Sequence, residues 1–378
     1  MDDLRLARAK GFDMGRLIDL LQISGLKRAG REHIGPCPRC GGTDRFSVNT
    51  AKNLFQCRRC EGKGDQIGLV MFALGIDFRA ALEWLVGPSQ ELSPKERAEI
   101  EARDRANRER KAKAEAAFRE KAISEARAIW NACRPAEDSP VRDYLAARGI
   151  TCALLPRLPR ALRYHPALSY MVQDAKGQWV EAHKGPAMVA AIQHANGRAR
   201  AVHRTWFDTA APLGKIKILH PETQEPQARK KAWGAKKGGA IRLTEHASPV
   251  LVMGEGIETT LSAMVAGAFD GAMFWAGVDL GNMSGQRQSG KGLRYAGLPD
   301  LDDGEAFVPP PGVERLVYVM DGDSEPRDTR AKLEAGLRRA MALRPGLRGQ
   351  IVRVPSGFDL NDVLLGLHKT PAPEENPR

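Results

Sequence analysis

Short apolar segments, each followed by a helical pattern, recur in the last third of the chain. Val250–Met253 and Leu316–Met320 are unbroken apolar runs that end abruptly in acidic and glycine residues, and Ile351–Val354 is predicted to be a further strand. Strands of this kind are typical of a parallel sheet with helices on its faces. This part of the chain is therefore predicted to be α/β, with ligands bound beyond the carboxyl ends of its strands.

The middle of the chain predicts antiparallel strands and a charged helix. Short strands through 187–194 and 198–206 flank an Asn-Gly turn at 196–197, which is a clear hairpin signal. From Ser93 to about Lys121, Arg, Lys, Glu and Ala alternate at helical spacing without a sustained apolar stripe. We expect a long solvated helical linker here, with DNA contact by its arginines as the less favoured alternative.

Four of the six cysteines form two C-x-x-C pairs, Cys37 with Cys40 and Cys57 with Cys60, separated by sixteen residues. This is the spacing of a zinc ribbon, in which a hairpin brings two pairs of thiolates to one tetrahedral ion. Four thiolates close the coordination shell, so we expect one structural Zn²⁺. Phe46 and Phe55 could stack on unpaired bases, but core packing of so small a module is the favoured interpretation.

The charge balance indicates a polyanionic partner. Lys and Arg number 58 against 46 Asp and Glu, which gives a formal net charge of +12. The chain has no apolar run of membrane-spanning length and no secretory signal pattern. We therefore expect a soluble cytoplasmic protein without a membrane partner.

Three carboxylates follow the two best-defined parallel strands. Glu255 lies in a G-E-G sequence after the first strand, and Asp321 and Asp323 form D-G-D after the second. Carboxylates that converge at one sheet edge repel each other unless a cation lies among them, and Mg²⁺ is the ordinary occupant. The structural alternative, loop acids that cap the next helix, is less favoured because two strand ends carry such residues.

This pair of motifs resembles the Toprim domain, which bacterial-type primases, type IA and II topoisomerases and some nucleases share. The resemblance implies catalytic roles for Glu255, Asp321 and Asp323, with Mg²⁺ or Mn²⁺ as the cofactor. Glu255 would be a metal ligand or a general base. The family often has an additional acidic site, for which Asp359 and Asp362 are the candidates. Glu258 would support the site or be an ordinary first-turn helix acid, which is slightly favoured.

The sequence after Cys60 resembles the zinc-binding domain of phage, plasmid and bacterial primases. Gly64-Asp65 is followed by an apolar helix over 67–74 and a G-x-x-F turn at 75–78. The segment before the acidic strands resembles the corresponding segment of phage and plasmid primases in H-R-T at 203–205, G-K-x-K at 214–217 and G-G-A-I-R-L at 238–243. A zinc-binding domain followed by Toprim is the layout of a primase.

The resemblance implies five segments, which together define the predicted fold class. These are a zinc-ribbon DNA-binding domain (1–90), a charged helical linker (91–125), a mixed α+β basic subdomain of the primase core (126–246), a Toprim catalytic domain with a Rossmann-like parallel sheet (247–368) and a tail (369–378). Cations cluster before the acidic strands, where a triphosphate and a template backbone would require them. The candidate nucleotide- or DNA-binding residues are Arg204, Lys215, Lys217, Lys236, Lys237 and Arg242. A solvated basic face is the alternative for the lysines of 230–237, and His203 is expected to be structural.

The resemblance implies a DNA primase that synthesises short RNA primers on single-stranded DNA by Mg²⁺-dependent nucleotidyl transfer. Its partners would be the template, ribonucleoside triphosphates and a separate replicative helicase, because no helicase motor is evident. The P-loop-like run at 285–291 is followed by glycine instead of Ser or Thr, and no strand leads into it. The alternatives are a Toprim-type nuclease and a non-catalytic zinc-dependent DNA-binding replication accessory. A topoisomerase would need a further domain with a tyrosine nucleophile.

Overall fold

The computed structural model describes residues 3–29, 32–60, 62–87, 94–290, 292–322, 325–355 and 357–367. The chain divides into two compact units, residues 1–108 and 109–378. Its helices, in the described part of the chain, are α1 (Asp3–Lys10), α2 (Met14–Leu20), α3 (Gln66–Leu74), α4 (Phe78–Val86), α5 (Pro94–Asn131), α6 (Val141–Ala146), α7 (Ile257–Val265), α8 (Leu280–Ser284), α9 (Pro326–Leu343) and α10 (Leu360–Leu364).

The strands of the first unit are β1 (Lys27–Ala29), β2 (Glu32–Cys37), β3 (Gly41–Asn49), β4 (Leu54–Cys57) and β5 (Lys63–Gly64). Those of the second are β6 (Arg134–Pro135), β7 (Leu162–Gln173), β8 (Trp179–Gln193), β9 (Ala199–Trp206), β10 (Ile218–Leu219), β11 (Pro226–Gln227), β12 (Lys230–Gly234), β13 (Ile241–Arg242), β14 (Val250–Gly254), β15 (Met273–Ala276), β16 (Arg315–Met320) and β17 (Arg348–Arg353). None of the described helices combines the length and the apolar character that a membrane crossing requires.

The first unit is an antiparallel sheet, β1 to β5 in chain order, that packs with short helices. Phe46, Phe55 and Phe72 pack ring against ring, with centroids 5.3 to 6.2 Å apart. The favoured interpretation of Phe46 and Phe55 as core residues is confirmed, because both are buried. Asp65 caps the start of α3 by accepting a hydrogen bond from the Gly68 amide at 3.0 Å.

The second unit contains an antiparallel sheet in the order β12-β9-β8-β7-β6. Its β8–β9 hairpin turns at 194–198, as the Asn-Gly signal predicts. One face of this sheet packs on the C-terminal end of α5 through Ala126, Tyr170 and Trp206. The opposite face packs on α6 and α7 through Tyr144, Met188 and Ile257. The sheet therefore lies between the linker helix and the helix that follows β14.

The second unit also contains a mainly parallel sheet in the order β13-β15-β14-β16-β17. β14 to β17 run parallel, and β13 is an antiparallel edge strand. Helices cover both faces, with α9 over Leu316 and Tyr318 and α7 over Val252 and Val317. Alternate residues of each strand thus enter two different cores, which explains why the strands are apolar without a break.

The edge strand β13 lies before residue 247, the boundary predicted for the parallel-sheet domain, yet it pairs with β15. An isolated bridge between Gln193 and Ala240 also joins this segment to β8. The segment 240–242 therefore contacts both sheets. The α/β class with an N-terminal four-cysteine ribbon is confirmed, whereas the Toprim assignment and the domain boundaries stay predictions.

Candidate active site and zinc centre

The four predicted zinc ligands converge on one point in the first unit. The sulfur atoms of Cys37, Cys40, Cys57 and Cys60 all lie within 4.8 Å of one another. Three of the separations are 3.5, 3.6 and 3.2 Å. Zn–S bonds of about 2.3 Å in a tetrahedron place sulfurs about 3.8 Å apart, so the cluster has the size of a zinc site. His33 does not belong to the cluster.

Two acidic residues lie at neighbouring strand ends in the second unit. Glu255 directly follows β14 and Asp321 directly follows β16, and these strands pair in parallel. Because paired strands lie about 4.8 Å apart, the two residues are neighbours at the carboxyl edge. Thr259 of α7 donates a hydrogen bond to Asp321 Oδ2 at 3.0 Å. The helix that follows one acid is thereby tied to the other.

Gly322, in the D-G-D sequence, is tightly enclosed. A Cβ atom at this position would lie 2.1 Å from the carbonyl oxygen of Pro355. The Gly322 amide donates to the Phe358 carbonyl at 2.9 Å, and the Gly357 amide donates to the Gly322 carbonyl at 2.8 Å. Only glycine fits between these backbone segments. Asp323 lies outside the described residues, and its role stays a prediction.

Asp359 and Asp362 form a capping box at the start of α10. The Asp362 amide donates to Asp359 Oδ1 at 2.7 Å, and the Asp359 amide donates to Asp362 Oδ2 at 3.1 Å. The structure thus gives both side chains a local role in starting this helix. Their predicted metal-binding role remains a prediction.

The structure reveals a buried ionic network around Glu258 in the first turn of α7. Glu258 is 3% exposed, accepts a hydrogen bond from the Tyr144 hydroxyl and forms an ion pair of 2.7 Å with Lys230 Nζ. Burial by itself raises the pKa of Glu258, but Lys230 and Tyr144 outweigh burial and hold this pKa well below its usual range. Burial and the Glu258 charge together raise the pKa of Tyr144.

This network lies beside the acidic edge. A Cβ atom on Gly256, next to Glu255, would lie 3.9 Å from Lys230 Nζ. Sequence reasoning missed Tyr144 and Lys230 as partners of Glu258, because each comes from a distant element. It also slightly favoured Glu258 as an ordinary first-turn helix acid. Such an acid would be solvated, whereas Glu258 is buried.

Two further cations act on this network through their charge. Arg148 is 2% exposed, and its Nε and Nη1 atoms make no hydrogen bond with the described residues. The charges of Arg148 and Arg229 act to lower the pKa of Tyr144, but the larger effect of burial raises it. Sequence reasoning missed both arginines, because a single Arg at a helix end or in a loop carries no distinctive pattern.

The G-K-x-K loop is anchored to the same tyrosine. Gly214 has a φ of +65°, and a Cβ atom on it would lie 2.5 Å from the Tyr144 ring. Glycine is therefore required for the loop to approach the ring. Lys215 and Lys217, the predicted nucleotide-binding residues of this loop, are exposed. The structure thus attaches their loop to the Glu258 network.

The other predicted cations are in different surroundings. Lys236 Nζ lies 2.6 Å from Asp279, and Lys237 Nζ lies 3.1 Å from Glu305. Arg242 stacks on Trp275 at 4.5 Å and donates to the His194 carbonyl at 2.7 Å.

Arg204 lies on the face of the antiparallel sheet that is opposite to Lys230. It stacks on Trp206 at 5.2 Å and Trp233 at 6.0 Å, and burial lowers its pKa to about 10. The structure therefore does not bring Arg204 to the Glu258 network. His203, on the same face as Lys230, is buried, and burial and Lys230 lower its pKa to about 4. It is neutral at pH 7.

Comparison with known families bears on the N-terminal module. Residues 10–100 match the family model of the CHC2 zinc finger, the DnaG zinc ribbon. This match confirms the predicted resemblance to the zinc-binding domain of primases. Residues 120–243 match a domain of unknown function (DUF7146). No curated protein sequence matches the chain.

Three solved primase structures align with much of the chain at low similarity. The Aquifex aeolicus primase (zinc-binding and RNA polymerase domains) is 15% identical with a TM-score of 0.33, over 97% of this chain and 82% of that one. The primase fragment of the bacteriophage T7 primase-helicase is 12% identical with a TM-score of 0.30, over 89% and 95%. The RNA polymerase domain of Mycobacterium tuberculosis primase DnaG, in complex with double-stranded DNA, is 16% identical with a TM-score of 0.29, over 68% and 77%. TM-scores this low do not establish a shared fold.

Replacement of one cluster cysteine should release zinc. We expect Cys57→Ser to lose the ion and to make the first unit susceptible to proteolysis, because small zinc modules depend on their metal for folding. Zinc content by atomic emission and limited proteolysis measure both effects. Cys152→Ser, which removes an exposed thiol outside the cluster, is the control. Full zinc content in Cys57→Ser would show that these cysteines do not form the site.

Removal of Lys230 should destabilise the second unit in a pH-dependent way. Lys230→Met leaves Glu258 buried without its cation. We expect this to lower the free energy of unfolding by about 3 kcal/mol at pH 7. This value is the low end for a broken buried ion pair, because Lys230 is partly exposed. Burial then raises the Glu258 pKa, so the difference from wild type should shrink as the pH falls towards about 4.3, where the unfolded carboxyl protonates. In the wild type the pKa of Glu258 is lowered. The stability that its ion pair contributes is therefore present above about pH 4.3 and is lost as the pH falls below that value.

Urea denaturation followed by tryptophan fluorescence between pH 4 and 8 measures this effect. Lys184→Met, which removes an exposed lysine, should change the unfolding free energy little at any pH. A loss in Lys230→Met that is constant across this range would contradict the role assigned to Glu258.

Proposed function

We propose that this chain is a DNA primase that joins ribonucleoside triphosphates into short RNA primers on single-stranded DNA. The supporting observation is a combination within one chain. A CHC2 zinc finger accompanies a parallel sheet whose neighbouring strand ends hold Glu255 and Asp321. Beside those ends lies Lys230, which is partly exposed and pairs with the buried Glu258, and the charge of the buried Arg148 acts on Tyr144 in the same network. Acidic and cationic groups near one another suit a reaction between metal-bound, negatively charged phosphates.

The donor set at the acidic edge fits Mg²⁺. Glu255 and Asp321 offer carboxylate oxygens at one edge, and hard oxygen donors are what this ion prefers. Mn²⁺ accepts the same donors. Asp323 would complete the set, and Asp359 and Asp362 would join it only if their capping box opened. A bound ion would stabilise charge on the attacking and leaving oxygens of nucleotidyl transfer.

The remaining residues would bind and orient the nucleotide. In the reaction a ribose 3′-hydroxyl attacks the α-phosphate of the next nucleotide, and pyrophosphate leaves. Glu255 would bind the metal or accept the hydroxyl proton. Lys215 and Lys217 would contact the triphosphate, because they are exposed on a loop held against Tyr144. Arg148 would act through its charge. It is buried, and its Nε and Nη1 atoms make no hydrogen bond with the described residues, so a nearby anion would stabilise it. A separate helicase would open the duplex.

Asp321→Asn should abolish primer synthesis while the protein stays folded. The change keeps the shape of the side chain but removes the charge that the metal requires, so we expect a loss of about a hundredfold or more. The assay follows labelled ribonucleotides on single-stranded DNA of varied sequence with Mg²⁺. Asp270→Asn, which alters an exposed acid after α7, should remain active.

Other outcomes of this assay would replace the proposal. Metal-dependent shortening of the DNA without primers would indicate a nuclease. DNA binding with neither primers nor cleavage, also when a replicative helicase is added, would indicate a non-catalytic replication accessory. Full activity of Asp321→Asn would show that the acidic edge is not the catalytic site.

The double variant Lys215→Ala/Lys217→Ala should bind ribonucleotides more weakly. We expect the KM for the nucleotide to rise about tenfold or more, because each lysine supplies a charged contact to phosphate. Lys176→Ala/Lys184→Ala removes the same charge from exposed positions elsewhere and should leave KM unchanged. Equal effects of the two double variants would show that only net charge matters.

A further inference from the structure

A groove of about 1060 Å³ crosses the second unit away from the Glu258 network. One wall is the part of α5 between residues 111 and 122, and the other is formed by 194–196, 234–238 and 304–308. Its lining carries five cations and two acids, Glu115 and Glu305. The cations are Lys111, Arg119, Arg200, Lys236 and Lys237. A groove with this excess of positive charge suits a polyanion.

Phe118 on α5 lines this groove and is unusual for its exposure. At 66% it is the most exposed of the large apolar side chains in the described part of the chain. The side chains of 102–121 are all exposed, so Phe118 contributes nothing to a core. An exposed aromatic ring among cations is the arrangement on which unpaired bases stack.

One lysine of the groove lining contacts a residue near the carboxyl edge of the parallel sheet. Lys236 in its lining pairs with Asp279, which follows β15, and β15 is the neighbour of β14 and hence of Glu255. Asn282, which is buried, accepts from the Gly238 amide at 2.8 Å and donates to the Gly239 carbonyl at 2.7 Å. The lysine loop is thereby held in place relative to the strand ends.

One carboxylate links the two walls. Glu305 pairs with Arg119 of α5 at 3.0 Å and with Lys237 at 3.1 Å. Both pairs are exposed, and such pairs contribute little to stability. A phosphate group could therefore replace the Glu305 carboxylate between these cations at small cost, and it would form stronger charged hydrogen bonds.

We propose that this groove binds single-stranded nucleic acid, that Phe118 stacks on one base and that Glu305 occupies the position of a backbone phosphate until the strand binds. The identity of the strand as a primer template rests on the proposed function, whereas binding itself needs no catalysis. The linker helix α5 is then part of the binding surface and more than a spacer.

The stacking role is tested by binding of a fluorescent single-stranded DNA to the full chain without nucleotides. We expect Phe118→Ala to weaken binding by about 5- to 150-fold, the range for one base stacked on an aromatic ring, with an unchanged dependence on salt. Phe118→Trp should restore the affinity. Trp179→Ala, which removes an aromatic side chain that is 60% exposed outside the groove, is the control. An affinity of Phe118→Ala equal to wild type, or an equal loss in Trp179→Ala, would overturn the proposal.

The competing role of Glu305 gives an effect of opposite sign. Glu305→Gln should bind the same DNA several-fold more tightly. In this variant no carboxylate competes with the DNA phosphate for Arg119 and Lys237. Glu245→Gln makes the same charge change at an exposed acid paired with Arg160 outside this groove. Unchanged or weaker binding by Glu305→Gln, or an equal gain in Glu245→Gln, would contradict the role of Glu305.

Photocrosslinking separates this proposal from the proposed function. Single-stranded DNA that contains 5-iodouracil should crosslink to the peptide carrying Phe118 in the absence of ribonucleotides. A crosslink in a protein that makes no primers would support the groove and reject the primase. Primer synthesis with crosslinks only at Trp179 or in the zinc module would reject the groove and leave the primase intact.

Discussion

The buried charge of Glu258 is the constraint on which the second unit depends. A carboxylate that is 3% exposed is tolerated only because Lys230 of β12 and Tyr144 of α6 satisfy it. These partners belong to the antiparallel sheet and its helix, whereas Glu258 belongs to the helix after β14. The interaction therefore fixes one sheet against the other and sets cations beside the strand ends that carry Glu255 and Asp321. The Gly214 loop, packed on Tyr144, is positioned by the same contact.

Local sequence patterns were sufficient to predict the features that depend on residues close together in the chain. The cysteine spacing, the β8–β9 hairpin and the apolar strands β14 and β16 depend on short-range geometry. The partners of Glu258 could not be predicted, because Tyr144 is 114 residues away and Lys230 is 28 residues away. Pairing of β13 with β15 was missed for the same reason.

The alternation of side chains along β9 could have predicted that Arg204 lies on the face opposite to Lys230. Residues 202, 204 and 206 share one face of β9, and Val202 and Trp206 are apolar. That parity places Arg204 on the face that packs on α5, where it stacks on tryptophans, and places His203 and Thr205 on the opposite face with Lys230. Phe118 is the converse case, because a lone apolar residue in a charged helix carries little weight until the groove beside it is seen.

We infer that the acidic edge and the cations of the Glu258 network form one nucleotide site. The most direct test is Mn²⁺ titration by electron paramagnetic resonance, with and without a ribonucleoside triphosphate, in wild type and in Lys215→Ala/Lys217→Ala. If the groups form one site, the triphosphate should raise the affinity for Mn²⁺ beyond what nucleotide and metal show in solution, and the lysine variant should lose this gain. An equal gain in both proteins, or Mn²⁺ binding that is unchanged in Asp321→Asn, would contradict a single site.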